Sequence, residues 1–318
     1  MWVFDFIFDY LFLLRTFVQS NNYLKDKDKL KLISINKFFH NNRTRFVFHD
    51  RYICKPQDID LWYYNCLTKV FLEEKVKLPL LVTNVHFDYY FDDDDLQNYL
   101  PETVTKVYFD IPFKKSWKPT PTWMTRLGVR HNRKLKIGII PNSVKILNLG
   151  YRFTEIAKNA ISKSVRVLNL GSYCNPIDDF IPNSVKNLYL PYFDEPLTKN
   201  SIPHSVRYLC LSNFNKRLEI DSIPKSLLQL EFQFEFDQEI DVLINSSLTH
   251  LCLGERFNRD INNFLSNNKT IIALFLNKQY IRKINFVPNS LKYLKASKEF
   301  FELNKDVLGD KVEFFYFK

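Results

Sequence analysis

A repeat of 20 to 23 residues is the feature that most constrains how this 318-residue chain folds. Four segments, which begin at Ile140, Ile181, Ile202 and Ile223, read Ile-Pro-x-Ser followed by spaced apolar residues. With the proline numbered zero, the apolar side chains fall at positions +3, +6 and +8. The same template finds twelve units, with zero positions at residues 79, 101, 121, 141, 162, 182, 203, 224, 245, 268, 288 and 309. A fixed period of this length predicts a stack of similar coils.

Each unit is too short for two helices, and its apolar spacing predicts a strand. Positions +6 and +8 are two residues apart, as expected when alternate side chains of a strand face the core. Proline precedes the strand, where its missing N–H costs no ladder hydrogen bond. A second apolar pair follows in most units, such as Phe214 with Leu218, and predicts a return segment. The predicted fold class is a β-rich (α+β) leucine-rich-repeat-like solenoid with a parallel sheet, in which each coil depends on its neighbours.

The first 78 residues do not show the proline-based motif, and we predict a short helical N-terminal cap there. We expect a helical region over residues 1–50, a helical linker or cap over 51–78, and the solenoid over 79–318. Asp26 can cap one helix, and a second helical segment is predicted for residues 58–74. Such a cover is needed because the first coil would otherwise expose its apolar side.

The N-terminal stretch is rich in Phe and Leu, but it fits neither a signal peptide nor a membrane span. Asp5, Asp9 and Arg15 interrupt it before about 18 apolar residues accumulate. It has no basic start and no small-residue cleavage site. We therefore expect an intracellular, cytoplasmic protein.

The repeat resembles that of the FNIP-repeat family, which is found in social amoebae and in giant viruses of amoebae. The shared motif is Ile-Pro-x-Ser-Val/Leu-x-x-Leu-x-Leu followed by Phe-Asn, and Phe214-Asn215 and Phe257-Asn258 preserve the Phe-Asn pair. The resemblance covers about residues 75–318. It implies a leucine-rich-repeat-like solenoid that binds other proteins, in the host cytoplasm if the chain is viral.

Residues 24–39 resemble the second half of an F-box, although the usual Leu-Pro opening is missing. In F-box proteins this domain docks on a Skp1-type adaptor, and the repeats hold a substrate for a cullin ubiquitin ligase. The resemblance implies adaptor docking through five apolar residues: Phe6, Ile7, Leu11, Leu30 and Ile33. The alternative is that these side chains form the core of a helical cap.

The face of the predicted sheet that points away from the core is rich in aromatic residues. Side chains at +5 and +7 lie on this open face, because +6 and +8 point inward. We select seven as candidate partner-binding residues: Tyr108, Asn148, Asn169, Tyr189, Tyr208, Phe275 and Tyr293. The same face is predicted to carry His86, His250, Phe314 and Tyr316. Exposed aromatics are typical anchors of protein interfaces, although Tyr and Phe also favour strands for structural reasons.

Position +4 is basic in four successive units, at Lys145, Arg166, Lys186 and Arg207. Stacked strands lie about 4.8 Å apart, so these groups repel one another unless they splay or meet an anion. This basic ladder suits an acidic or phosphorylated partner. A solvated edge that aids solubility is the other interpretation.

No motif in the sequence indicates catalysis, a cofactor or a metal. The six histidines are scattered, and Walker, Gly-x-Gly-x-x-Gly and Gly-x-Ser-x-Gly motifs are absent. The five cysteines form no Cys-x-x-Cys pair, and the Asp92–Asp95 run is typical of a solvated loop. A net charge of +10 without a dense basic run does not favour nucleic-acid binding. Two non-catalytic functions remain: an adaptor of a Skp1–cullin–F-box ligase, or a general protein-interaction scaffold.

Overall fold

Thirteen parallel strands form one continuous sheet in the computed structural model, which describes residues 48–54, 67–72, 74–87, 96–109, 133–150, 153–310 and 312–317. In sheet order the strands are β1 (Phe48–Cys54), β2 (Leu67–Leu72), β3 (Asn84–Phe87), β4 (Lys106–Phe109), β6 (Ile146–Asn148), β8 (Val167–Asn169), β9 (Asn187–Leu190), β10 (Tyr208–Leu211), β11 (Gln229–Phe232), β12 (His250–Cys252), β13 (Ala273–Phe275), β14 (Tyr293–Ala296) and β15 (Glu313–Tyr316). The predicted solenoid with a parallel sheet is confirmed.

Equivalent repeat positions pair across the sheet. Leu209 of β10 lies opposite Leu188 of β9 and Leu230 of β11, and all three occupy position +6. This register places the same side of every coil against the same core. In the coil at Pro182, for example, Val185, Leu188 and Leu190 are at most 1% exposed.

The turn before each strand explains both its proline and its serine. The +3 amide donates to the carbonyl oxygen at position zero, at 3.0 Å from Val185 to Pro182, so the turn uses the proline carbonyl and needs no N–H there. In several coils the +2 hydroxyl links neighbours, although the buried Oγ atoms of Ser143, Ser184 and Ser290 at the same position make no hydrogen bond. Ser205 Oγ donates to the Val185 carbonyl at 2.8 Å. Ser164 and Thr270 make the same bond to Val144 and Leu248.

Aromatic side chains form a second buried column on the return side of the coils. Neighbouring rings in this column lie 5.9 to 6.3 Å apart between centroids, in the order Phe193, Phe214, Phe236, Phe257 and Tyr280. All five side chains are at most 1% exposed. Offset stacking of this kind adds to the free energy gained from burial, so the column holds consecutive coils together.

The residues that follow the four phenylalanines of this column form a hydrogen-bonded ladder. Asp194 Oδ1 accepts from the Asn215 amide at 2.8 Å, and Asn215 Oδ1 accepts from the Asp237 amide at 2.9 Å. Asp237 Oδ1 then accepts from the Asn258 amide at 2.9 Å. Asp194, Asn215 and Asp237 therefore each satisfy a backbone donor of the next coil, which gives the Phe-Asn pair of the motif a structural reason.

The return halves vary between coils, whereas the strands do not. A two-stranded sheet joins β5 (Arg133–Leu135) to β7 (Phe153–Ile156). Short helices occur elsewhere: α1 (Leu96–Tyr99), a 3₁₀ turn (Asp241–Leu243), α2 (Asn262–Asn267) and α3 (Lys298–Leu308). Helix α3 is the longest of these, and the side chain of its N-cap, Ser297, accepts from the Phe300 amide at 3.1 Å.

The helix predicted over residues 58–74 is wrong for its second half, because residues 67–72 form strand β2. Leu67, Val70, Phe71 and Leu72 are at most 2% exposed, so both faces of this strand are buried. A strand buried on both faces lacks alternation and resembles a buried helix in sequence. Strands β1 and β2 extend the sheet ahead of the first proline unit, into the region predicted as a helical linker.

The predicted unit at Pro121 contributes no strand between its neighbours. Strands β4 and β6 pair directly, with Val107 opposite Leu147 and Tyr108 opposite Asn148. The apolar residues assigned to that unit, Met124, Leu127 and Val129, lie outside the described residues. The 20-residue spacing therefore did not guarantee a coil at this place in the sheet.

The register of the last unit differs by one residue from the prediction. Phe314 pairs with Leu294 at the inward position, and Phe315 pairs with Lys295 on the open face. Phe314 consequently packs against Phe301 of α3, with ring centroids 4.8 Å apart, rather than facing outward as predicted. A shift of one residue exchanges the two faces of a strand. The shift occurs here because helix α3 replaces the usual return segment before β15.

Candidate interaction face

Two columns of side chains cover the open face of the sheet. The +7 column runs through His86, Tyr108, Asn148, Asn169, Tyr189, Cys210, Glu231, Cys252, Phe275, Lys295 and Phe315. The +5 column runs through Asn84, Lys106, Ile146, Val167, Asn187, Tyr208, Gln229, His250, Ala273, Tyr293 and Glu313. All seven selected partner-binding residues occupy these columns.

Asn148 and Asn169 have a structural role on this face. Asn148 Oδ1 accepts from the Gly150 amide at 2.9 Å, and Asn169 Oδ1 accepts from the Gly171 amide at 2.8 Å. Their side chains thus close tight turns at the ends of β6 and β8. Sequence spacing placed them on the open face, but it did not reveal that their amide oxygens are used locally.

A hydrogen-bonded group lies at the middle of the face. Tyr208 Oη donates to Glu231 Oε2 at 2.6 Å, and Gln233 Nε2 donates to Glu231 Oε1 at 2.8 Å. Ser212 Oγ donates in turn to Gln233 Oε1 at 2.7 Å. The ring of Tyr189 lies beside Tyr208, with centroids 5.2 Å apart. This arrangement fixes a tyrosine pair and one carboxylate on the rigid sheet.

Glu231 is a site residue that the sequence analysis missed. Among the described residues of the +7 column it is the only carboxylate, and it lies between Cys210 and Cys252. A single carboxylate among uncharged neighbours in this column was the sequence signal that could have identified Glu231. Its two donors restrict its orientation, and an anionic acceptor fixed in this way suits a cationic or hydrogen-bond-donating group of a partner.

The environment of this group also keeps neighbouring thiol and phenol groups protonated. Burial, with a smaller contribution from the Glu231 carboxylate, raises the pKa of Cys210 to about 11. Burial also raises the pKa of Tyr208, and its hydrogen bond to Glu231 acts in the same direction. Burial likewise raises the pKa of Cys252. A protonated thiol is a poor nucleophile, so these cysteines do not indicate a catalytic site.

A shallow apolar groove of about 600 Å³ occupies the C-terminal part of the face. It is lined by His250, Ala273, Phe275, Tyr293, Lys295, Phe315 and Tyr316. Tyr293, Phe315 and Tyr316 expose 40%, 43% and 48% of their surfaces. The groove thus brings together two of the selected residues, Phe275 and Tyr293, with Phe315, which the sequence register had placed inward.

The N-terminal part of the face is more enclosed. His86 and Tyr108 stack with their ring centroids 4.3 Å apart and their planes 5° from parallel. His86 is only 7% exposed, and Tyr108 is half-buried. Among the selected aromatics, Tyr293 is exposed, whereas Tyr108, Tyr189, Tyr208 and Phe275 are half-buried.

The four residues of the basic ladder lie at the edge of the sheet where the strands begin, and all are exposed. The predicted adaptor-docking residues Phe6, Ile7, Leu11, Leu30 and Ile33, and the Asp92–Asp95 run, lie outside the described residues. Within the part that the structure describes, no three His, Cys, Asp or Glu side chains are grouped to hold a metal ion. No helix in that part is long and apolar enough to cross a membrane.

The stacked coils and their exposed aromatic face define a leucine-rich-repeat-like solenoid. Consistent with this class, the chain aligns with the crystal structure of CroV588, a circular leucine-rich-repeat protein, at a TM-score of 0.57 and 23% identity. The alignment covers 84% of this chain and 41% of that chain, and it supports the shared fold.

Three overlapping segments, residues 131–173, 154–193 and 193–234, match the family model described as FNIP Repeat. This part of the chain, about a third of its length, is therefore similar to FNIP repeats. It is also 30% identical over 164 residues to the FNIP repeat-containing protein R636 of Acanthamoeba polyphaga mimivirus. That match covers 50% of this chain and spans about a third, 34%, of the viral protein.

Proposed function

We propose that this protein is a non-catalytic scaffold that binds another protein through the open face of its sheet. The observation that carries the proposal is the row of half-buried and exposed aromatic side chains around Glu231, from Tyr189 to Phe315. Aromatic anchors on a rigid surface, with a few oriented polar groups, are typical of energetically dominant interface residues.

The chemistry of the face favours binding over catalysis. Its two cysteines have raised pKa values, and its one central carboxylate already accepts two hydrogen bonds. Solenoids of the leucine-rich-repeat kind are typically binding proteins, because their stacked coils present a long, regular surface. The FNIP repeats support the same general role.

Replacement of the central tyrosines tests the proposal. A Tyr189→Ala, Tyr208→Ala double variant should lose at least about tenfold in affinity for a partner captured from amoebal lysate by the unmodified chain. The matched control replaces Phe234 and Phe286 with Ala, because these residues are exposed but lie off the open face. Equal affinities of all three proteins for the purified partner, measured by calorimetry, would show that the face does not bind it.

The narrower proposal is that the scaffold presents its partner to a Skp1–cullin–F-box ubiquitin ligase. Its support is the resemblance of residues 24–39 to part of an F-box. Co-purification of the full chain with a Skp1-like protein is the expected result, and Leu30→Asp with Ile33→Asp should abolish it, whereas Lys31→Asp should not. If the unmodified chain retains no adaptor, the ligase role is wrong and the general scaffold remains.

A further inference from the structure

The edge of the sheet where the strands begin carries only positive charge through five successive coils. The segments from position −1 to +5 contain no Asp or Glu in these coils, which are residues 140–146, 161–167, 181–187, 202–208 and 223–229. Six exposed cations lie in them, and we call this set the basic edge: Lys145, Lys163, Arg166, Lys186, Arg207 and Lys225. It contains the four residues of the basic ladder and two from the preceding turns.

Charge on the return side of the coils is compensated, in contrast to the basic edge. Within the described residues, five ion pairs join groups of the return side: Lys134–Glu155, Lys216–Asp194, Arg217–Glu219, Arg256–Glu235 and Arg259–Asp237. No described carboxylate lies within 4.0 Å of a basic-edge cation. In the five coils of the basic edge, the cations of this edge therefore lack the carboxylate partners that these return-side cations have.

The coil does not require cations at these positions. Position +4 holds Leu228, Thr249 and Ile272 in the next three coils. The backbone bonds are the same there: the Leu228 amide donates to the Arg207 carbonyl at 3.0 Å, and the Thr249 amide donates to the Leu228 carbonyl at 2.9 Å. Packing therefore explains the strand but leaves the row of four cations unexplained.

The stacking of the coils brings the four cations of the basic ladder close together, which is electrostatically unfavourable without a bound anion. Equivalent positions on neighbouring strands are about 4.8 Å apart, so four successive side chains span roughly 15 Å. Like charges at this spacing repel one another, and a bound anion removes that repulsion. An extended peptide advances about 3.3 Å per residue, so five residues match the length of the row.

Two arginines of the row are held in place by the turns. Arg166 Nη1 donates to the Ser184 carbonyl of the next coil at 3.2 Å and to the Lys163 carbonyl at 3.4 Å. Arg207 Nη1 donates to the His204 carbonyl at 2.7 Å. These bonds use one nitrogen of each guanidinium, which has five N–H donors in total. The restrained groups can therefore still donate to a carboxylate with little further loss of side-chain entropy.

We propose that the basic edge is a binding surface for an acidic segment of a protein, an extended run rich in Asp or Glu. A protein segment fits better than a nucleic acid, because these segments offer few rings on which bases could stack: His204 at +1, and Tyr208 at +5, whose hydroxyl donates to Glu231 on the open face. The surface adjoins the open face but does not depend on it, so either site can bind without the other.

Binding of a labelled deca-glutamate peptide tests the proposal by fluorescence anisotropy. The full chain should bind it at 50 mM NaCl, with an affinity that falls as salt is added, and should not bind deca-lysine. Reversal of the ladder, with Lys145→Glu, Arg166→Glu, Lys186→Glu and Arg207→Glu, should weaken binding about tenfold or more. A milder variant, Lys145→Gln with Lys186→Gln, retains both arginines and their turn bonds and should weaken binding at least about threefold.

The matched control reverses four exposed cations elsewhere, with Lys199→Glu, Lys278→Glu, Lys283→Glu and Lys298→Glu. This change of net charge is the same, so equal weakening in both reversal variants would overturn the proposal, since net charge alone would explain binding. Equal or tighter binding of a deca-uridine RNA would overturn it in favour of a nucleic acid. The Tyr189→Ala, Tyr208→Ala variant should bind the peptide normally, which separates this surface from the open face.

Discussion

Two glycines in contact show how closely neighbouring coils approach at the end of their strands. Gly150 and Gly171 have φ values of 55° and 58°, in the left-handed region that favours glycine. A Cβ atom on Gly171 would lie 1.6 Å from the Gly150 carbonyl oxygen, so no side chain fits there. The Asn-x-Gly sequence in these coils is therefore required by both turn geometry and inter-coil distance.

Gly171→Ala should destabilise the protein by about 3 kcal/mol or more, since strain at positive φ and a backbone clash add together. Gly309→Ala is the matched control, because Gly309 has a φ of 49° and a Cβ atom added to it would meet no other atom within 4 Å. That control should cost less, about 1 to 2 kcal/mol, because it carries the strain of a positive φ without the backbone clash. Thermal unfolding followed by circular dichroism measures both; similar losses would mean that the coils separate easily at Gly150.

The buried thiol on the open face gives a pH-dependent prediction. Because burial raises the pKa of Cys210 from an ordinary value of 9.0 to about 11, the folded state keeps this thiol protonated where an unfolded chain ionises it. Its contribution to stability is present below pH 9 and is lost as the pH rises toward 11. In the folded protein, iodoacetamide should modify exposed Cys174 quickly at about pH 8.5 and Cys210 slowly.

Peptide mapping by mass spectrometry measures these two rates at several pH values. The rate at Cys210 should continue to rise above about pH 10, whereas the rate at Cys174 provides the comparison for an accessible thiol in the same sample. Equal rates at the lower pH would contradict the burial of Cys210.

At the scale of elements, the hydrogen-bonded ladder that follows the buried phenylalanines joins successive coils. Asp237 belongs to it: its Oδ1 accepts from the Asn258 amide at 2.9 Å, and its carboxylate pairs with Arg259 at 3.1 Å. Asp237→Ala should cost about 1 kcal/mol, because it leaves the amide without its acceptor. Asp237→Asn retains the acceptor and loses only an exposed ion pair, so it should cost less than about 0.5 kcal/mol.

Urea unfolding of the two variants decides between these causes. A larger loss in Asp237→Ala than in Asp237→Asn assigns the stabilisation to the amide bond. The reverse order, or equal losses, would assign it to the charge.

The strands were predictable from the sequence because burial on one side leaves a repeated apolar pattern. Leu188, Leu209 and Leu230 keep the same spacing from their prolines, and the register follows from that spacing. The polar ladder and the Tyr208–Glu231–Gln233 group were not predictable in this way. They depend on which side chains meet across coils, and Asp, Asn, Glu and Gln at exposed positions do not carry an apolar period.

The errors have physical causes as well. Strand β2 is buried on both faces, so it lacks the alternation that identifies a strand. Helix α3 replaces a short return segment before β15. The prediction counted from Gly309 and therefore put Phe315 at the inward position, which Phe314 occupies in the structure. Both failures occur where the environment of the repeat changes toward the ends of the described sheet.

At the scale of the whole molecule, stability is expected to be local, because each coil packs only on its two neighbours. Leu209 is fully buried in β10, and Leu209→Ala should cost about 2 to 5 kcal/mol. Leu303→Ala is the control: this side chain is 48% exposed, so its loss should cost less than about 0.5 kcal/mol. Hydrogen exchange should increase most in β9, β10 and β11 of the Leu209→Ala variant and much less in the distant strands β2 and β14. A uniform increase across the sheet would show instead that the coils unfold as one cooperative block.

The constant pairing of equivalent positions also has a consequence for how such a chain can change its length. Between β8 and β12 the equivalent positions of adjacent strands pair at every junction, so neighbouring coils in this part of the sheet meet through the same strand contacts. Duplication or deletion of one whole unit, about 21 residues, would leave the remaining junctions intact, while an insertion of any other length in a strand would break them. The surface available to partners can therefore grow or shrink in fixed steps of one strand width without a new fold.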